Sequence, residues 1–270
     1  MKLKGRMYNT KTLKVMVISI LIMLTIQGTA VASGPFGPPQ PVSRPAGGLH
    51  TGFGYWLQED KLKNSNEEYI SRQQQIYSEM GYGFKKNWDL YARVGLSGLK
   101  LFDAFSPTTT ATTTSKNDFS ENWKFFTTLG AKGFYPVRPA FGIGAFVQGT
   151  YYFSDFTDNT TGTRNGAPFT IELGMKNLWD VSAGIGFQAT IPWGINLYIG
   201  PYLYYGEAKV SPSANISGLA LTTGETTLKN NTVFGGFAGI DAPLSRGFRL
   251  QIEGKYADRL SGGAAITYAY

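Results

Sequence analysis

The chain has 270 residues, enough for one large domain or two small ones, and its 34 glycines and 13 prolines argue against a mostly helical fold. The lack of cysteine excludes disulfide frameworks, thiolate zinc sites and cysteine nucleophiles, and a single histidine leaves little with which to build a His-based metal site or triad. A formal charge of +7, with 14% aromatic but only 16% charged residues, invites a nucleic-acid or membrane-surface reading that depends on where the charge lies.

The first segment carries Lys2, Lys4, Arg6, Lys11 and Lys14, then an apolar run over 15–26 broken only by Ser19 and Thr25, then Ala30-Val31-Ala32. A basic head, an apolar middle and a small-residue end predict a secretory signal peptide over 1–32, the run being shorter than the roughly 20 apolar residues of a transmembrane helix. Setting its five basic residues aside leaves 20 basic against 18 acidic side chains, a net of +2. No basic stripe survives in 33–270, so no nucleic-acid partner is expected. Residues 33–48 include Pro35, Pro38, Pro39, Pro41 and Pro45 and read as a stiff Pro/Gly-rich arm on the periplasmic side.

From Leu49 to the end the hydropathy pattern has period two. Phe141, Ile143, Ala145 and Val147 alternate with Gly142, Gly144 and Gln148; Trp179, Val181, Ile185 and Phe187 alternate with Asp180, Ser182, Gly184 and Gln188; Phe248, Leu250 and Ile252 alternate with Arg249, Gln251 and Glu253. Such alternation places one greasy and one polar face on a strand. Ten strands are predicted near 49–58, 73–85, 87–101, 121–135, 140–154, 178–191, 194–208, 229–242, 247–257 and 262–270. Short, proline-marked turns alternate with long polar connections over 59–72, 102–120, 155–177 and 209–228, with 258–261 the one short exception. The runs meet the roughly 9 to 11 residues a tilted membrane strand needs, whereas soluble sandwich strands run about 5 or 6. The expectation is an all-β chain forming a closed antiparallel transmembrane β-barrel over 49–270, of about ten strands with eight to twelve admissible.

The last strand, Ile266-Thr267-Tyr268-Ala269-Tyr270, alternates and ends on an aromatic residue. Together with the strands and turns of 49–270, it resembles bacterial outer-membrane β-barrel proteins of the small OmpA-type and porin-like kind. It departs from the OmpA type in having about ten strands rather than eight. The resemblance implies an outer-membrane location, contact with outer-membrane lipid and lipopolysaccharide, and a C-terminal Tyr270 strand read by the barrel-assembly machinery. Two placements of the arm stay open, hanging in the periplasm or folding into the lumen.

On this reading Glu79, Asp89, Arg93, Lys124, Lys132, Asp180, Asp241, Arg249, Glu253 and Lys255 line the lumen, with Tyr91, Phe146, Tyr152, Tyr198, Tyr202 and Tyr204 taking further room. An aromatic girdle is assigned to Trp123, Tyr135, Trp179, Phe248, Tyr256, Tyr268 and Tyr270. Eight-stranded barrels are filled by their side chains, so a charged, largely filled lumen is expected, giving a structural or narrow passive pore role; surface-loop binding is the alternative. Gly184 to Ala189 satisfies G-x-G-x-x-A but continues a strand, without the helix a dinucleotide site requires. His50, at the start of the first strand, is expected to be a solvated interfacial residue, and with no second histidine as base, hydrolysis is the least favoured function. Asp155 and Asp158 fall short of a calcium site, and the polar, Thr-rich loops over 107–115 and 155–165 are expected to be flexible. No metal or cofactor is assigned.

Overall fold

In the computed structural model the described residues are 34–43, 47–63, 68–106, 112–164, 166–216, 219–222, 224–230 and 234–270, so the signal-peptide expectation over 1–32 lies outside them. They form fourteen strands: β1 (Leu49–Lys63), β2 (Glu68–Lys85), β3 (Trp88–Leu101), β4 (Thr112–Thr114), β5 (Phe119–Arg138), β6 (Phe141–Tyr152), β7 (Phe156–Arg164), β8 (Ala167–Ile191), β9 (Ile195–Ile216), β10 (Leu219–Thr222), β11 (Thr226–Asn230), β12 (Phe234–Ser245), β13 (Phe248–Tyr256) and β14 (Leu260–Ala269). No helix among the described residues is long and apolar enough to cross a membrane, which says nothing of strands.

Ten of these close a ring in the order β1-β2-β3-β5-β6-β8-β9-β12-β13-β14, every pairing antiparallel. Closure is made by β14 on β1, in register from His50↔Ala269 to Leu57↔Gly262, so no open edge remains in the wall there. The short β13–β14 hairpin leaves the wall low on that side. Above it β11 pairs with both β9 (Thr226↔Val210) and β1 (Leu62↔Asn230), completing the wall.

Tight turns join the strands at one rim. Arg246-Gly247, between the paired Ser245 and Phe248, has both residues at positive φ, the conformation that a two-residue hairpin turn demands, and the three-residue turn Pro192–Gly194 has Trp193 and Gly194 at positive φ. Pro136 and Pro243 fall beside register shifts in β5 and β12, where a missing N–H costs no regular ladder bond.

At the other rim the strands run on. β8 and β9 stay paired to Phe169↔Ile216, β7 pairs with β8 and β4 with β7. The expectation of flexible loops is corrected for these segments: Phe156–Arg164 is strand β7 and Thr112–Thr114 is strand β4, while 107–111 and 165 lie outside the described residues. The physical reason is a second stretch of alternation, in which Phe169 and Met175 are buried while Thr170 and Glu172 are exposed.

Outside, the ring is apolar. Val94, Leu129 and Ile199 are 60%, 65% and 62% exposed in the middle of their strands, whereas Arg93, Thr128 and Tyr198 beside them are buried inside.

Candidate functional site: the interior of the ring

Residues 34–43 lie inside the ring, which corrects the placement of the arm on the periplasmic side. The composition of the arm explains how an extended chain without a strand partner tolerates burial. Pro35, Pro38, Pro39 and Pro41 carry no N–H, so four potentially orphaned donors are absent. The N–H groups of Phe36, Gly37, Gln40 and Val42 each donate to a side chain of the wall: Glu253 Oε1 (2.8 Å), Glu253 Oε2 (2.8 Å), Gln188 Oε1 (3.1 Å) and Asp89 Oδ2 (3.2 Å). Carbonyl groups are met by cations and amides. Gly34 O accepts from Lys255 Nζ (2.7 Å) and Gln148 Nε2 (3.0 Å), Pro35 O from Arg93 (2.6 Å) and Pro38 O from Lys132 Nζ (3.4 Å). Peptide dipoles of the arm thus do for the lumenal charges what water would otherwise do.

Packing fixes the same segment. The Phe36 ring stacks on Phe146 with centroids 3.8 Å apart and meets Tyr202 and Phe237 edge-on at 5.4 and 5.1 Å, with Lys255 Nζ 3.1 Å over its face. Pro39 occupies the space that side chains at 144 and 186 would need: a Cβ on Gly144 or Gly186 would come within 2.6 Å of the proline ring. These lumenal glycines leave a groove for the arm rather than an open channel.

Where the arm leaves the ring, Ser43 meets His50. Ser43 Oγ is 2.6 Å from His50 Nδ1 and donates to Asp89 Oδ1 at 3.1 Å; His50 Nε2 is 3.1 Å from Glu79 Oε1, and Arg93 Nε donates to Glu79 Oε2 at 2.6 Å. His50 is fully buried, so the expectation of a solvated interfacial residue is corrected. The reason is that its ring fits over Gly81, where a Cβ would collide with it, and turns inward toward two carboxylates.

Of the residues assigned to the lumen, Glu79, Asp89, Arg93, Lys132, Asp180, Asp241, Glu253 and Lys255 are buried inside the ring. Only some converge on the arm. Asp241 is engaged at the turn rim by Arg249 (2.6 Å) and Asn196, with Arg249 partly exposed, and Lys124 is partly exposed beside Glu121 at 3.9 Å. The six aromatics assigned to the interior are all buried there. Trp123, Tyr135, Phe248, Tyr256 and Tyr270 are exposed on the outside; Trp179 is half-buried against Tyr205 and Tyr268 against Phe248. Asp158 pairs with Lys116 and accepts the N–H of Ser120, so its carboxylate is committed.

The hairpin end of the interior is apolar. Leu62, Leu99, Leu101, Phe119, Phe156, Met175 and Leu228 are buried there, in one apolar cluster that continues through Tyr152 and Tyr204 to Phe146 and Phe36 of the arm. Along it Tyr152 OH bridges Gln73 and Gln75 (2.9 and 2.8 Å) and Tyr204 donates to Asp60. A void lined by Asp60, Gln73, Tyr152 and Asp180 measures about 10 Å³, room for about one water.

No protein-family model matches the chain, and no curated protein matches it by sequence. Among solved structures it is similar to the translocator domain of the autotransporter NalP from Neisseria meningitidis (10% identity, 97% of this chain and 96% of that one, TM-score 0.39). It is also similar to the outer membrane protease OmpT from Escherichia coli (12% identity, 83% and 95%, TM-score 0.42) and to an outer membrane channel from Pseudomonas putida F1 (11%, 89% and 100%, TM-score 0.44). Similarity at this level carries no activity across, and the fold rests on the strand pairing of the chain itself. The chain is an all-β protein whose ten principal strands close into an antiparallel barrel occupied by its own N-terminal arm.

Proposed function

We propose that the protein is an integral outer-membrane β-barrel, closed as it stands, whose role is that of a sealed scaffold rather than an open pore. The observation that carries this reading is the seating of residues 34–43, with Phe36 only 1% exposed among Phe146, Tyr202 and Phe237. A continuous outer belt of exposed apolar residues supports the membrane location, because such a surface in water favours association. The short turns then face the periplasm and the long hairpins the exterior. Outer-leaflet lipid and lipopolysaccharide are the partners of the belt, and β14 with Tyr270 is the segment offered to the assembly machinery.

Catalysis by Ser43 and His50 is disfavoured on this reading, since the hydroxyl is buried and already engaged with Asp89. A second reading, surface binding, is favoured by the paired extension of β7, β8 and β9. Its outer face carries exposed Thr157, Asn159, Thr161, Thr163 and Thr170 over a buried Phe156, Thr160 and Phe169. Planar-bilayer recording of refolded 33–270 tests the sealed scaffold: the expected trace shows no discrete openings, and stable unitary steps would sink it.

A further inference from the structure

Charge is shared unequally between the two rims of the barrel. At the hairpin end cations and carboxylates pair: Lys61 with Glu68 (2.9 Å), Lys100 with Asp118 (2.7 Å), Lys116 with Asp158, and Arg259 with Glu59 (3.0 Å). At the turn end Lys85 and Lys86 of the β2–β3 turn, Arg138 of the β5–β6 turn and Arg246 of the β12–β13 turn are exposed, and none of them makes an ion pair among the described residues. No acidic side chain is exposed there among the described residues, because Asp89 and Asp241 are buried and Asp241 is already held by Arg249. A carboxylate at Tyr270, beside Leu49 on the same rim, would still leave the cations in excess. We propose that this rim binds the anionic headgroups of phospholipids in the leaflet around the short turns, an inference that rests on the outer-membrane reading above and extends it to a lipid class.

The spacing of the cations selects the partner. Around the ring the β2–β3 and β5–β6 turns are two strands apart and the β12–β13 turn is four from either, so even the nearest two are separated by about 10 Å at the usual spacing between strands. No single small anion bridges them, whereas a leaflet encircling the ring meets all three turns at once. Their neighbours point the same way. Phe84 and Trp88 flank the two lysines, Val137 precedes Arg138 and Phe248 follows Arg246, all exposed, and Trp193 at the tip of the β8–β9 turn is 75% exposed. Tryptophan suits the headgroup level, and a long basic side chain lays its stem along apolar surface while its charge reaches a phosphate. A hydrated anionic polymer beneath the rim would match the charge but leave these apolar side chains in water.

In phosphatidylcholine vesicles holding the refolded full-length barrel, a trace of spin-labelled phosphatidylglycerol reads the preference through its motionally restricted component at the protein surface. Its association relative to spin-labelled phosphatidylcholine is expected to be about fivefold higher beside a cation and, averaged over a shell most of which has no cation, about twofold higher at low salt. In 1 M NaCl, where the screening length is about 3 Å, the ratio should fall to about one. A variant carrying Lys85→Gln, Lys86→Gln, Arg138→Gln and Arg246→Asn, the last chosen because Asn tolerates the positive φ there, should give about one at every salt concentration. A ratio of one in the unaltered barrel at low salt, which needs no variant to fold, or a preference that survives the four substitutions in a barrel whose heat-modifiable migration is intact, overturns the assignment. So does displacement of the lipid by soluble glycerol phosphate beyond that by chloride of equal ionic strength, which would give the turns to a free anion. A barrel that does not insert into the vesicles defeats the outer-membrane reading as well, whereas an inserted barrel without headgroup preference defeats the lipid assignment alone.

Discussion

Phe36 is a large aromatic in an arm with no secondary structure, yet its ring is enclosed on three sides by Phe146, Tyr202 and Phe237 and capped by Lys255. Truncating a buried Phe to Ala costs about 3–5 kcal/mol, so Phe36→Ala is expected to unseat the arm, with faster amide exchange in the 34–43 peptide by mass spectrometry. Phe36→Leu should exchange at an intermediate rate; unchanged exchange in both would mean that the ring does not hold the arm. The charged residues that grip the arm were legible in the sequence, because Asp89, Arg93, Lys132, Glu253 and Lys255 fall on the polar face of alternating strands. Their partners were not. Glu253 binds N–H groups 216 and 217 residues away, and Ser43 sits in a proline-rich stretch whose contacts no periodicity encodes. The one available signal was compositional: an arm short of N–H donors beside a lumen rich in glycine suits burial better than solvent.

At the scale of elements, the cores of all ten ring strands were readable, since inward and outward residues alternate without interruption through the belt. The ends were not, because β1, β2, β8 and β9 continue past the belt into sequence that reads as polar loop. There the outward face is Thr-, Asn- and Glu-rich, while the inward Phe169, Ile171, Leu173 and Met175 keep the same period and were the signal to follow. The ring and its extension should therefore be separable. The β6–β8 pairing stops at Tyr151↔Trp179, and β7 takes over beyond it, from Phe156↔Met175. Replacing 159–170 with a short turn is expected to leave heat-modifiable migration intact and to shift its midpoint by only a few degrees. Loss of the folded band would mean that the hairpin is part of the closure. If every cell-surface phenotype also survives that replacement, the surface-binding reading loses its support.

For the whole molecule, the ring number and the filled lumen belong together. Barrels of about eight strands are packed by their own side chains, and wide aqueous channels need about 16 to 18. A ten-stranded ring with glycine on its inner face has more room than its side chains fill, and the arm takes up that room below an apolar cluster at the hairpin end. The count of ring strands was legible from the alternation and the turns; the occupant was signalled only by the arm's scarcity of N–H donors, since no periodicity distinguishes an arm outside the ring from one within it. The central claim is tested most directly by the accessibility of Gln148, a buried wall residue whose amide binds Gly34 O. With Gln148→Cys as the only thiol, a small water-soluble maleimide should label the folded full-length barrel slowly and the same barrel lacking 34–43 at least tenfold faster. Equal, rapid labelling of both would contradict the account, because the lumen would then be open to water with the arm in place.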